Sequence, residues 1–242
     1  MTTIPEDLPS GGQDQERRIR RLFSEIAPRY DLLNHVLSMN LDRCWRRRAV
    51  ACLGWEGHPD GLYLDACAGT LDLSLELVGQ PGFRGRVVGA DFALPMLTEG
   101  LPKLADVSVA PVCGDALRLP FGEETFRGAT VGFGVRNLAD LDQGLEEFHR
   151  VLRVGARLVV LEFTTPPNPL LRQLYLFYFH RVLPSVGRWV SGHPWAYSYL
   201  PASVKEFPGP TQLADQMQRA GFRGARWSLL SGGIAALHVA TK

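Results

Sequence analysis

The chain has 242 residues, with 26 Lys and Arg residues against 25 Asp and Glu residues, which gives a formal net charge of +1. Hydrophobic residues make up 45% and charged residues 21% of the chain, as in ordinary globular proteins. This balance excludes a wholly disordered chain, a collagen-like fibre and a polybasic protein that binds nucleic acid.

The N-terminal quarter divides into a tail and a helical region. Residues 1–15 are polar and contain two Gly and two Pro residues, so we expect a flexible tail. Residues 16–56 carry apolar side chains at helical spacing and are expected to form a helical cap. Residues 17–48 contain nine Arg residues against three acidic ones. This charge favours either a solvated helix face or attraction to an anionic membrane surface or substrate.

From residue 62 onwards, short apolar runs alternate with helical patterns. Strands are predicted at 62–68, 86–92, 108–115, 126–134 and 156–164, and helices at 71–78, 95–104 and 141–152. This alternation predicts an α/β fold whose mostly parallel sheet is covered on both faces.

The C-terminal segment changes this rhythm. A helix is predicted at 211–222, and two strands at 225–231 and 234–242 are joined by Gly232-Gly233. A glycine pair between two strand patterns is typical of a hairpin. We therefore expect seven strands, the last two antiparallel, within a single domain over residues 16–242.

The four cysteines lack the spacing of a metal or disulfide site. Cys44, Cys52, Cys67 and Cys113 include no CxxC pair, and no His cluster lies near them. The N-terminus has no signal-peptide pattern, and no apolar run reaches the roughly 18 residues of a membrane span. We expect reduced cysteines, no bound metal and a cytoplasmic protein.

Acidic residues stand at the ends of the first three predicted strands. The residues of interest are Asp65, Gly69 and Thr70 in the first turn, Asp91 at the second strand, and Asp115 with Ala116 at the third. The carboxyl edge of a parallel sheet is where ligands bind, and an acid there can hold both hydroxyls of a ribose. A plain strand-to-helix turn, a loop carboxylate and a helix cap are the structural alternatives.

The first turn lacks the full glycine fingerprint of dinucleotide-binding proteins. Leu71 occupies the second glycine position counted from Gly69, where a side chain is expected to block the approach of a pyrophosphate. The three strand ends therefore favour a nucleoside with a different second end. S-adenosylmethionine, whose tail is a zwitterionic amino acid, fits this description.

Several segments resemble the C-methyltransferases of menaquinone and ubiquinone biosynthesis. They include FSEIAPRYDLLNHVLSMNLDRCWRR (23–47), LDACAGTLDL (64–73), GDALRLPFGEETF (114–126), GFGVRNLAD (132–140) and YSYLPASVKEFPG (197–209). The resemblance covers about residues 20–242, and the PRYDLLN, FGVRN and YSYLPASVKEFPG segments are its most specific parts. The family often has Gly or Cys where this chain has Leu71.

The resemblance implies a class I S-adenosylmethionine-dependent methyltransferase with a Rossmann-like fold. It also implies methyl transfer to a ring carbon of a polyprenyl demethylquinol. By matched motifs, Thr70, Asp91, Asp115 and Ala116 are expected to bind the donor, helped by Asp65 and Gly69.

The acceptor ring requires its own set of groups. Loss of a proton from a neighbouring ring hydroxyl makes the carbon nucleophilic, and the oxyanion then needs a cation or hydrogen-bond donors. We expect Arg136 and Asn137 to supply them, with Tyr30 and Asp31 closing over the site. Two alternatives stay open: Arg136 pairs with Asp140 or Glu162 for structure, and Asp31 or His149 is the base.

Residues 165–209 are expected to form an insertion that covers the substrate. Its apolar stretch, Leu170 to Val190, suits a buried core helix, a lid that guides the isoprenoid tail and contacts the membrane, or a homodimer interface. Other small-molecule methyltransferases, a nicotinamide oxidoreductase and a non-catalytic binding module are the competing functions. The sequence leaves open whether the acceptor is a menaquinone or a ubiquinone precursor, or both.

Overall fold

The computed structural model describes residues 13–178 and 202–242. The helices are α1 (Gln13–Ile26), α2 (Tyr30–Ser38), α3 (Leu41–Leu53), α4 (Asp72–Val78), α5 (Leu94–Gly100), α6 (Leu141–Val151), α7 (Pro169–Phe177) and α8 (Pro210–Arg219). The strands are β1 (Leu62–Ala66), β2 (Arg86–Asp91), β3 (Val109–Cys113), β4 (Phe126–Gly132), β5 (Leu152–Phe163), β6 (Arg223–Leu230) and β7 (Ala235–Thr241).

All seven strands form one sheet in the order β3-β2-β1-β4-β5-β7-β6. The pairs from β3 to β5 are parallel, whereas β7 runs antiparallel to both β5 and β6. The predicted fold class and the antiparallel C-terminal hairpin are confirmed. The strand order reverses between β1 and β4, which places a crevice for ligands at the carboxyl ends of these strands.

Several predicted boundaries differ from the structure by a few residues, and three of these differences have a clear cause or consequence. Helix α1 begins at Gln13, so the last part of the expected tail is helical, and the rest of that tail lies outside the described residues. The helix expected at 95–104 is α5 followed by a 3₁₀ turn that contains Pro102, since proline does not continue an α-helix. Strand β5 starts at Leu152, directly after α6, and Leu152 pairs with Phe126.

The sheet is covered on both faces, as predicted. One apolar cluster joins it to the N-terminal helices and α4, and includes Leu22, Trp45 and Leu77. The opposite cluster joins it to α6 and α8 through Phe148 and Met217. The N-terminal helices therefore share the core of the sheet instead of forming a separate domain.

The arginine-rich N-terminal region mostly presents its charge to solvent. The exposed side chains are Arg17, Arg20, Arg21, Arg43, Arg47 and Arg48. Among the arginine side chains of this region whose exposure the structure describes, Arg46 is the exception, with 7% exposure. Among the described residues, no helix is both long enough and apolar enough to cross a membrane.

Candidate active site

A cavity opens at the carboxyl ends of β1, β2, β3 and β4. Its polar lining residues are Tyr30, Asp91, Asp115 and Asn137, and its other lining residues include Phe23, Gly69, Met96, Ala116, Phe133 and Leu138. The cavity therefore combines four of the expected donor-binding residues with two of the expected catalytic ones. We call it the donor cavity.

Asp91 is held in place by the turn that follows β1, which we call the donor loop (residues 67–71). Its Oδ2 accepts a hydrogen bond from the backbone N–H of Gly69 and its Oδ1 one from Ala93, both at 2.8 Å. Burial raises the pKa of Asp91, although the two N–H groups oppose this shift. Each oxygen can still accept a further hydrogen bond, which a carboxylate must do on both oxygens if it is to bind two ribose hydroxyls.

Asp115 and Ala116 line the neighbouring wall of the donor cavity. Oδ1 of Asp115 accepts a hydrogen bond from the backbone N–H of Leu117 at 2.9 Å. This turn orients the carboxylate after β3, so capping and ligand binding are compatible roles for Asp115.

Asp65 lies behind the donor loop and not on the donor cavity. Its Oδ2 accepts hydrogen bonds from the backbone N–H and the hydroxyl of Ser74, and its Oδ1 one from Thr130. Burial raises the pKa of Asp65 to about 7. Asp65 therefore joins β1 to α4 and β4.

Leu71 does not line the donor cavity and is fully buried, so its side chain does not occupy the ligand side of the turn where it was expected to block a pyrophosphate. Its φ of 71° is in the left-handed region, which turns the side chain away into a small cluster with Ala68 and Leu97. There it packs over Gly89, where an added Cβ would clash with it. The missing glycine therefore changes the packing behind the loop and leaves its ligand side open.

Thr70 and Asp31 bind each other. The Thr70 hydroxyl donates to Oδ1 of Asp31 at 2.5 Å, and Oδ2 of Asp31 lies 2.5 Å from Nζ of Lys103. Lys103 also pairs with Asp72 at 2.8 Å. Thr70 does not line the donor cavity but borders a second, smaller cavity, which shares Tyr30, Gly69 and Phe133 with it. The carboxylate of Asp31 is thus engaged in docking α2 on the donor loop, which disfavours it as a base.

Tyr30 and Asn137 lie on the donor cavity, whereas Arg136 lies beside it. Nη1 of Arg136 lies 2.5 Å from Oε1 of Glu162. Asp140 caps α6 instead, by accepting from Gln143. Of the two structural pairings left open by the sequence, the one with Glu162 occurs.

The second candidate base, His149, is remote from this chemistry. Its ring packs edge-on against Phe222, with a centroid distance of 5.1 Å, and it does not line the donor cavity. The described residues contain no group of three or more His, Cys, Asp or Glu side chains that could hold a metal ion.

A model of the ubiE/COQ5 methyltransferase family matches residues 12–242. The chain belongs to this family. It is therefore an S-adenosyl-L-methionine-dependent methyltransferase, and the donor cavity offers acidic groups of the kind that hold such a nucleoside.

Named relatives share more than two fifths of their residues with this member of the family. A demethylmenaquinone methyltransferase from Thermus thermophilus is 49% identical over 90% of this chain and 98% of its own. One from Deinococcus radiodurans is 44% identical over 98% of both chains. A ubiquinone/menaquinone biosynthesis C-methyltransferase UbiE from Geobacter sp. is 43% identical over 95% of this chain and 98% of its own.

Solved structures with little sequence identity show the same fold. The [4+2]-cyclase SpnF has a TM-score of 0.69 at 15% identity, over 96% of this chain and 97% of its own. Phosphoethanolamine N-methyltransferase 2 from Haemonchus contortus, in complex with S-adenosyl-L-methionine, has a TM-score of 0.58 at 12% identity, over 81% and 52%. These likenesses extend to architecture alone.

Sequence reasoning missed the aromatic and ionic surroundings of the site in this family member. Phe23 and Phe133 line the donor cavity, and both stand inside motif segments already matched to the family, which was the available signal. Lys103 stands outside any expected site, and nothing in the local pattern marked it. Arg46 lies in the matched segment 23–47 and in the arginine-rich region, but it was not singled out as a site residue.

Proposed function

We propose that this protein transfers the methyl group of S-adenosyl-L-methionine to a ring carbon of demethylmenaquinol, a naphthoquinol with a polyprenyl tail. The observation that carries the proposal is the donor cavity, which unites Asp91 and Asp115 with Tyr30 and Asn137. The names of the relatives from Thermus thermophilus and Deinococcus radiodurans support the choice of acceptor.

The cavity walls provide separate surfaces for the ribose and for the base of the donor. Asp91 accepts the ribose hydroxyls, while Asp115 and the backbone of Ala116 face the base. S-adenosyl-L-methionine supplies, when bound, a methyl group on a positively charged sulfur. The rings of Phe23, Tyr30 and Phe133 line the cavity, and aromatic faces attract such a cation.

The acceptor side combines a cation with neutral donors. Arg136 remains charged at any physiological pH, so it stabilises the ring oxyanion and lowers the pKa of the hydroxyl that must lose its proton. Burial raises the pKa of Tyr30, so its hydroxyl stays protonated and can donate, as can the amide of Asn137. The proton leaves through water, because Asp31 is occupied by Thr70 and Lys103.

The polyprenyl tail requires an apolar surface outside the donor cavity. Leu170, Leu174 and Phe177 lie on one face of α7 and are 69%, 60% and 61% exposed. In our proposal this face contacts the tail or the membrane surface from which the quinol comes. The rest of the apolar stretch, from residue 179, lies outside the described residues.

Liposome flotation tests this peripheral contact. Leu174→Glu should reduce the fraction of protein that floats with vesicles containing acidic lipid, whereas Val154→Glu, at a site 74% exposed at the start of β5, should not. Equal flotation of both variants and the wild type excludes α7 as the contact. A dimer that dissociates in Leu174→Glu, measured by light scattering, assigns this face to self-association instead.

Ubiquinone biosynthesis offers a second acceptor. The relative from Geobacter sp. is named for both quinones, so the corresponding benzoquinol remains a candidate. Another small acceptor on the same fold is the more distant alternative.

The deciding experiment compares acceptors side by side. Labelled S-adenosyl-L-methionine is incubated with the protein and a short-tailed demethylmenaquinol, the matching benzoquinol, or no quinol. We expect labelled menaquinol in the first reaction. Transfer only to the benzoquinol supports the second acceptor, and transfer to neither contradicts the proposal.

A further inference from the structure

Arg136 and Glu162 form a buried ion pair beside the donor cavity. Their side chains are 6% and 1% exposed. Nη1 of Arg136, which contacts Glu162, also donates to the carbonyl of Phe133 at 2.6 Å. The guanidinium carbon lies 5.6 Å from the centroid of the Phe163 ring. Glu162 and the Phe133 carbonyl therefore hold one edge of the guanidinium, and the Phe163 ring lies against one of its faces.

The strand that carries Glu162 fixes its position. Glu162 lies in β5 opposite Ala236 of β7. Its Oε1 also accepts from the backbone N–H of Phe163 at 2.9 Å, and its Oε2 from the backbone N–H of Arg136 at 3.4 Å. The carboxylate is therefore fixed relative to the sheet, and its contact with Arg136 restricts where the guanidinium can lie.

The ion pair is not needed to hold strands β4 and β5 together. Strands β4 and β5 already form a parallel ladder up to Gly132 and Leu161. A buried ion pair contributes little net stability compared with apolar side chains of similar volume. The residues next to Arg136 that line the donor cavity, Phe133, Gly134 and Asn137, place the pair at the reacting end of the site.

We propose that Glu162 is a positioning residue for methyl transfer. It holds the guanidinium of Arg136 in the orientation that stabilises the ring oxyanion, and it offsets part of the charge of Arg136. This inference rests on the proposed function, in which Arg136 provides that stabilisation.

Because Glu162 is charged, it should change the pKa of the acceptor hydroxyl, which a purely structural contact would not do. Arg136 lowers the pKa of the acceptor hydroxyl, and the carboxylate of Glu162 opposes this effect. A neutral Gln at position 162 leaves more positive charge, so the hydroxyl loses its proton at lower pH. The amide also holds the guanidinium less firmly, so turnover falls although the ring ionises more readily.

Other titratable groups face this pair from the surrounding elements. Tyr30 on α2 and Tyr175 on α7 face Arg136, and Cys67 in the donor loop faces Glu162. Burial raises the pKa of all three groups, so they stay uncharged below pH 8. Asp65, whose pKa of about 7 lies in that range, is present in every variant. A difference in the acidic limb of the rate profile between the wild type and Glu162→Gln therefore reports the acceptor hydroxyl or the pair itself.

The test measures kcat against pH with demethylmenaquinol for the wild type, Glu162→Gln and Glu162→Asp. Glu147→Gln is the matched control, because Glu147 also pairs with an arginine, Arg150, at 2.7 Å and accepts from a backbone N–H. The chain neighbours of Arg150 do not line the donor cavity, whereas Asn137, next to Arg136, does. Donor affinity and thermal unfolding are measured for every variant.

We expect Glu162→Gln to lower kcat by about 10-fold or more, with donor affinity within about twofold of the wild type. The acidic limb of its kcat–pH profile should move to lower pH by roughly half a unit. Glu162→Asp keeps the charge but not the reach, so kcat should fall while the limb stays in place. Glu147→Gln should change neither quantity.

A folded Glu162→Gln with the kcat of the wild type, or with a reduced kcat and an unmoved limb, overturns the inference. If Glu162→Gln does not fold, Glu162→Asp decides, and full kcat in that variant overturns the inference. A wild type that does not methylate the quinol contradicts the proposed function instead. An active wild type with unaffected Glu162 variants contradicts only the role of Glu162.

Discussion

Asp91 is the residue on which we expect donor binding to depend most directly. Its carboxylate faces the donor cavity and is oriented by Gly69 and Ala93. Loss of a charge-assisted hydrogen bond costs roughly 1.5–3 kcal/mol, or about 10–150-fold in affinity. We expect Asp91→Ala to weaken binding of S-adenosyl-L-methionine by this factor in calorimetric titrations.

A surface acid provides the control for this measurement. Asp60 pairs with Arg84, and both side chains are more than 60% exposed. Asp60→Ala should bind the donor as the wild type does. An unchanged dissociation constant in Asp91→Ala would remove Asp91 from the nucleoside site.

Arg136 is expected to affect turnover much more than donor affinity. Removal of the whole side chain would leave Glu162 buried without its counter-ion, which costs about 3–5 kcal/mol. Arg136→Lys keeps the charge but loses the planar fork that reaches several partners. For Arg136→Lys we expect kcat to fall about 10–100-fold with donor affinity nearly unchanged, as measured by steady-state rates and calorimetry. Equal losses in both would assign Arg136 to the donor cavity or to the fold.

At the scale of secondary-structure elements, Asp65 links β1, α4 and β4 and makes their association depend on pH. Its folded pKa of about 7 is above the usual value of 3.8. A raised pKa means that its contribution to stability is complete below pH 4 and is lost as the pH rises through 7. The total is roughly 4 kcal/mol.

Asp65→Asn should therefore remove a decline in stability that the wild type shows between pH 4 and pH 7. Urea unfolding of both proteins at several values in this range measures the difference. We expect the free energy of unfolding of the wild type to fall relative to that of the variant as the pH rises. Parallel curves would show that the three elements associate independently of this carboxylate's charge.

At the scale of the whole molecule, the N-terminal helices dock on the sheet through a chain of charges beside the donor loop. Lys103 contacts Asp31 of α2 and Asp72 of α4, and Arg46 of α3 contacts Asp72 at 3.1 Å. Tyr30, next to Asp31, lines the donor cavity. Docking of these helices thus completes one wall of the cavity.

Removal of the ammonium group of Lys103 should loosen this wall. We expect Lys103→Met to lower the unfolding temperature and to speed donor release by several-fold, since the partly buried carboxylate of Asp31 loses this counter-ion. Lys205→Met, at an exposed position, is the control. Stopped-flow release rates equal to those of the wild type would show that the docked helices do not retain the donor.

The sequence by itself determined the order of strands and helices and the residues at the strand ends. Hydrophobic periodicity is a local property, and parallel strands necessarily bring their carboxyl ends to one edge of a sheet. Asp91, Asp115 and Ala116 were therefore found on the donor cavity, as expected.

Only the tertiary structure decided which side chains pair and where each one points. Thr70 binds Asp31 across 39 positions of the chain, and Arg136 binds Glu162 across 26. Leu71 turns away from the ligand side because of its left-handed backbone and the space over Gly89. Such choices depend on the packing of residues that are distant in sequence, whose mutual geometry is fixed only when the chain has folded.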